Sequence, residues 1–195
     1  MDNEIENIYV MATEFGLLDP ITQLPARDEN SISALLCIYH QQGKIDWAQV
    51  PLLDLNKQEI GKAEAILGQA GALSSEYPLF WSDKPGCDAY GSMRPDFLYI
   101  ANNGQTAAII ENKLGAGLTL KLNDGYGGQF GRYIQYLKQA TAEHKYMILL
   151  TSEYYLSRKW YDSDLLKAEE IQKSASSIQC AIIRWEDVLK AVRKA

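Results

Sequence analysis

Glu111 and Lys113 flank Asn112 at the end of an apolar run, Ala107-Ala108-Ile109-Ile110, that reads as a buried strand. Side chains alternate across a strand, so Glu111 and Lys113 share one face and Asn112 points away. Asp96 opens the preceding apolar run, and a tight turn between the two runs sets it near the level of Glu111. Two carboxylates then converge with one ammonium. Mg²⁺ prefers such hard oxygen ligands and keeps several of its waters. It can lower the pKa of a bound water and stabilise the charge of a phosphodiester under attack. The ammonium can orient that water or neutralise developing charge. Glu-x-Lys alone is more often a solvated ion pair, and Pro95-Asp96 alone more often just starts a strand. Their conjunction across one hairpin singles these residues out.

The positioning elements are legible. Asp96–Ala101 and Gln105–Glu111 are two strand candidates around Asn102-Asn103-Gly104, and Asn-Gly between apolar runs is a strong hairpin signal. Upstream, Asp28–Gln42 reads as a helix, with Ser or Asn near its start as cap, inward residues at Ile32, Leu35, Leu36 and Tyr39, and Gly43 as its stop. A second helix is predicted from about Asn56 to Gln69, and Ser74–Met93, rich in aromatics, Pro and Gly, reads as irregular. After the hairpin come a Gly-rich loop to Gly128 and a helix over Gln129–Thr141. Tyr146–Thr151 reads as a buried central strand. Ser163–Ser174 is read as a helix, Ile178–Arg184 as a strand and Glu186–Lys194 as a closing helix. This order predicts an α/β or α+β sandwich around a mixed sheet. One domain is expected over residues 1–195, with 1–27 as an N-terminal extension.

Pro95-Asp96 followed by Glu111-Asn112-Lys113 resembles the signature of the PD-(D/E)XK nuclease superfamily, over roughly residues 28 to 190. Gln129-Phe130-Gly131-Arg132-Tyr133 is similar to the Gln-x-x-x-Tyr motif of its exonuclease-like branches. One helical turn sets Gln129 and Tyr133 on one face. The resemblance implies a restriction-endonuclease-like mixed central β-sheet flanked by helices. It implies Asp96, Glu111 and Lys113 as catalytic residues, with Gln129 and Tyr133 beside them. It implies a metal held by Asp96 and Glu111, with the Asn112 backbone carbonyl and Glu29 as further ligands. Asp28 competes with Glu29 for that role, and Glu29 could equally serve only the helix N-terminus. The implied cofactor is Mg²⁺, with Mn²⁺ as a substitute.

The charge distribution bears on partners. The chain carries −6 overall, but residues 112–160 hold seven bases and three acids. Within that stretch Lys121 on the Gly-rich loop and Arg132 on the next helix are the expected nucleic-acid contacts, with DNA as the first-choice substrate. A local excess of this size is also ordinary surface charge. The loop lacks the Lys-Ser/Thr ending of a phosphate-binding loop. Gly91-Ser92-Met93 lacks the second glycine of a nucleophile elbow, and His40 and His144 show no ligand pairing. The three cysteines, Cys37, Cys87 and Cys180, are dispersed, which favours reduced thiols and a cytoplasmic location. No apolar run approaches 18 residues and the N-terminus lacks a signal-peptide pattern, so no membrane partner is expected. The rival expectation is a catalytically silent nuclease-like binding module, or a subunit of a defence or restriction complex. A homo-oligomer or a partner protein is compatible with either.

Overall fold

A computed structural model describes residues 2–79, 94–114, 129–157, 173 and 176–193, and among these the side chains of all but residues 2–6 and 129–130. The described residues form an α+β sandwich: seven strands make one mixed sheet with helices on both faces. In chain order the elements are α1 (Asp2–Glu14), α2 (Glu29–Gln41), a 3-10 turn at Trp47–Gln49, β1 (Pro51–Leu53), β2 (Glu59–Lys62), α3 (Glu64–Leu67), β3 (Gly71–Ser75), β4 (Phe97–Ala101), β5 (Thr106–Lys113), α4 (Gln129–Gln139), β6 (His144–Thr151), α5 (Glu153–Leu156), β7 (Ile178–Arg184) and α6 (Trp185–Lys190). The strands lie in the order β2-β1-β7-β6-β5-β4-β3. β5, β6 and β7 run parallel, and the strands on either side of them are antiparallel. No helix among the described residues is long and apolar enough to cross a membrane.

The β4–β5 hairpin forms as its turn chemistry predicts. Gly104 takes φ 69°, a left-handed conformation glycine adopts without steric cost, and its N–H donates to Ala101 O at 2.8 Å. Asn103 Oδ1 accepts from the Gln105 N–H. The register pairs Phe97 with Ile110, so one step further along Asp96 faces Glu111. The central strands bury both faces. Ala108, Ile110, Ile148, Leu150, Ala181 and Ile183 pack with α1, α2 and α6. Ile109, Met147, Leu149, Cys180 and Ile182 pack with α4 and α5. This is why their sequences read as continuous apolar runs.

Four sequence expectations are corrected. The cap of α2 is Asp28, not Ser or Asn: Asp28 Oδ1 accepts from the Ser31 N–H at 2.7 Å, and Ser31 Oγ accepts from the Asp28 N–H at 3.1 Å. The helix expected over Asn56–Gln69 is instead the β1–β2 hairpin followed by the single turn of α3. Asp54 Oδ1 accepts from the N–H groups of Asn56 and Gln58, and Lys57 has φ 66°, so local side-chain bonding turns the chain where apolar spacing suggested a helix. Ser74 and Ser75 are not irregular but end β3, a strand absent from the sequence reading. β3 approaches β4 so closely that a Cβ on Gly71 would meet Ile100 O and the Tyr99 hydroxyl at 2.6 Å. The closing helix starts at Trp185 and ends at Lys190. The N-terminal segment supplies α1, whose Ile8 and Ala12 join Leu17 in the core beneath α2 and α6. The helix expected over Ser163–Ser174 lies outside the described residues except at Lys173, which is helical.

Candidate active site

The site gathers at the C-terminal ends of the parallel strands, where Lys113, Thr151 and Arg184 stand level across β5, β6 and β7. β5 is the strand at which the sheet changes from antiparallel to parallel. Strand ends of parallel sheets collect functional side chains because each strand delivers one at the same level. Here Thr151 Oγ1 donates to Lys113 O at 2.5 Å and fixes the end of β5.

Glu111 is almost fully buried at 1 % exposure and pairs with Lys113, Oε1 to Nζ at 2.6 Å. Both side chains therefore lie on one face of β5. Asp96, from the segment leading into β4, comes within hydrogen-bond reach of Glu111. Its Oδ2 also accepts from the Asn112 N–H at 2.6 Å. Tyr133, buried on α4, reaches Glu111 with its hydroxyl and donates to Arg94 O at 3.2 Å. Tyr133 is thus both a core aromatic and a neighbour of the acid pair. Glu29 comes in from the first turn of α2, near Lys113 and Asp96, and accepts from the Leu114 N–H. Asp28 is held in the cap, so Glu29 alone of the two acids turns to the site.

The electrostatics follow from crowding carboxylates where water is scarce. Burial raises Glu111 to about 7; Asp96 adds to the rise, while Lys113 and Tyr133 oppose it. Burial likewise raises Asp96 and Glu29. For Lys113 burial works against the charge, but Glu111, Asp96 and Glu29 outweigh it and its pKa is raised. The ammonium is therefore charged at neutral pH, while burial and the mutual repulsion of Asp96 and Glu111 favour the protonated form of each acid.

Two buried carboxylate oxygens here, Glu111 Oε2 and Glu29 Oε1, have no hydrogen-bond partner. Orphaned anionic oxygens are costly unless a cation or solvent answers them. The donor set is all oxygen, which suits Mg²⁺ or Mn²⁺ and not a soft metal. No three His, Cys, Asp or Glu side chains among the described residues group tightly enough to cage a metal.

Asn112 is fully buried and its side chain faces away from the acids, as alternation requires. Its Oδ1 accepts from Trp185 Nε1 at 2.7 Å and its Nδ2 donates to Ser33 Oγ at 3.1 Å. Ser33 was absent from the sequence reading, and Thr151 entered it only as the end of a strand. The available signal was Asn112 itself, an amide on a buried strand that must find partners. Glu76 was also missed. Its N–H donates to Asp96 O at 3.1 Å, and its charge adds to the rise in the Asp96 pKa. With Asn30, Ser33, Ser75 and Asp96 it lines a cleft of about 260 Å³ beside the site.

Gln129 opens α4 one turn before Tyr133, but its side chain lies outside those described, as does all of Lys121. Arg132 is half-buried on α4 and already engaged with a neighbour. His40 is structural: Nδ1 accepts from Trp47 Nε1 at 3.1 Å. Cys37 and Cys180 are free and buried.

No family model matches the chain, and comparison with curated proteins and with solved structures gave no match either. The functional reading therefore rests on the site's own geometry.

Proposed function

We propose that this protein is a metal-dependent nuclease of the PD-(D/E)XK type, hydrolysing phosphodiester bonds with Mg²⁺, DNA being the first-choice substrate. The observation that carries the reading is the Asp96–Glu111 pair, with Asp96 at the entry to β4 facing Glu111 on β5, Lys113 on Glu111 and a carboxylate oxygen left unanswered. A surface Glu-x-Lys ion pair would be solvated. This one is buried and shares its site with a second acid.

Asp96 and Glu111 would hold the cation, with Glu29 behind them. The cation would supply a more acidic water and charge neutralisation at the phosphate. Lys113, charged at neutral pH, is placed to orient a nucleophilic water or to stabilise charge growing on the phosphoryl oxygens. Tyr133 stands beside the Glu111 carboxylate and opposes the rise in its pKa. The Asn112 N–H fixes Asp96 Oδ2, leaving its other oxygen to turn toward a cation.

The competing reading, a catalytically silent nuclease-like module, draws on the net charge of −6, which gives no general attraction to a polyanion. One experiment separates the two. Single- and double-stranded DNA and RNA are incubated with the protein in Mg²⁺, in Mn²⁺ and in chelator. The nuclease reading expects cleavage with either metal, none with chelator, and none from Lys113→Ala. Metal binding without cleavage of any of the four substrates would replace it with the binding-module reading.

A further inference from the structure

The acids of the site come from three separate stretches of chain. Glu111 lies on β5, Asp96 leads into β4, and Glu29 sits on α2. Carboxylates crowded in this way repel one another, so something must hold the three stretches in register. Asn112 touches all of them. Its backbone N–H grips Asp96 Oδ2, its Nδ2 binds Ser33, and its Oδ1 takes the indole N–H of Trp185. Ser33 lies four residues after Glu29, one turn further along the same face of α2. Trp185, fully buried, is the first residue of α6.

We propose that Asn112 is a positioning residue for the metal-binding acids, and that Ser33 and Trp185 set its orientation. The proposal rests on the nuclease reading for its consequence, though not for its geometry. The surroundings are apolar: Ile110, Leu150, Ile183 and Trp185 belong to the same core cluster. An aliphatic side chain would pack there without needing partners. An amide there has a polar job, because its burial is tolerated only with its hydrogen bonds made. The strand points the Asn112 N–H toward β4, and the two side-chain bonds pin this stretch of β5 to α2 and α6. They thereby keep that N–H in reach of Asp96, and through Ser33 they set how far Glu29 stands from Lys113. This role differs from that of a backbone-carbonyl metal ligand, because it lies in the side chain.

The test avoids Asn112 itself, whose truncation would leave a cavity and two stranded partners. Ser33→Ala removes one hydroxyl, and Trp185→Phe removes one N–H while keeping an aromatic ring in the core. Ser33→Thr restores the hydroxyl, and its extra methyl has the adjoining cleft to enter. The first readout needs neither metal nor substrate: hydrogen exchange of the Asn112 amide by NMR. The second is the Mg²⁺ dependence of DNA cleavage. Ser33→Ala and Trp185→Phe are expected to speed Asn112 exchange and to raise the half-saturating Mg²⁺ by about tenfold, in the range seen when partners of metal ligands are lost. Ser33→Thr should behave as the wild type in both. A purely structural role would lower melting temperature and leave the Mg²⁺ dependence unmoved. Unchanged Asn112 exchange in both Ser33→Ala and Trp185→Phe overturns the proposal, as does an unchanged Mg²⁺ dependence in an active enzyme. A wild type that neither cleaves nor binds Mn²⁺ overturns the nuclease reading, and the exchange readout still decides whether Asn112 positions Asp96.

Discussion

Glu111 is the residue whose environment departs most from that of a free carboxyl, and its protonation couples stability to pH. Its pKa is raised in the folded protein to about 7, so between its ordinary value and about 7 the folded state binds more protons than the unfolded one. Its contribution to stability is therefore full at low pH and lost as pH rises through about 7, a difference on the order of a few kcal/mol. Melting temperature in chelator should fall between pH 5 and pH 8, and Glu111→Gln should flatten that slope. If both proteins melt alike at every pH, Glu111 does not titrate as described. Because metal ligands must shed their protons, Mg²⁺ or Mn²⁺ affinity should rise over the same interval, which calorimetry at several pH values would read. Lys113→Met removes the ammonium that opposes the rise, so Glu111 should stay protonated to higher pH. Cleavage is expected to vanish in this variant while circular dichroism stays native, and retained cleavage would remove Lys113 from the mechanism.

At the scale of elements, α2 carries Glu29 to the site and depends on its cap. Asp28→Ala breaks the capping box and should cost about 1 kcal/mol, read as a lower denaturation midpoint with an unchanged slope. Since the cap also fixes where α2 begins, metal affinity should weaken with it. Glu29→Gln should weaken metal affinity without touching the cap, so the pair of variants separates helix geometry from charge. Element boundaries followed local chemistry well where turn residues spoke clearly, as at Asn103-Gly104. They failed at Asn56–Gln69 because periodicity suggested a helix while the Asp54 side chain had already bonded the following amides. β3 escaped notice because Gly71-Ala-Leu-Ser-Ser has weak strand propensity and is held by pairing along its whole length with β4.

Across the whole molecule, the N-terminal segment read as an extension is packed into the core. Ile8 and Leu17 are buried against the layer that also holds Ala12, Ile32 and Val188. Ile8→Ala should destabilise the protein by about 2–4 kcal/mol, as expected for a well-packed site, measured by denaturant unfolding. A change under 0.5 kcal/mol, the size of a typical surface substitution, would show that α1 is only loosely attached.

Some of this protein was decided by residues near one another in the chain. Alternation set Glu111 and Lys113 on one face and Asn112 on the other, and Asn-Gly chemistry closed the hairpin that brings Asp96 opposite Glu111. These outcomes need only the two-residue period of a strand and a turn's φ preferences. What Asn112 does on its own face was decided by packing, because Ser33 and Trp185 lie 79 and 73 residues away and reach it only after two helices dock on one side of the sheet. The charge state of the site was decided in the same way. A carboxyl acquires a pKa near neutrality only when other segments exclude its water and set a second acid beside it, and neither condition is written in Glu-Asn-Lys.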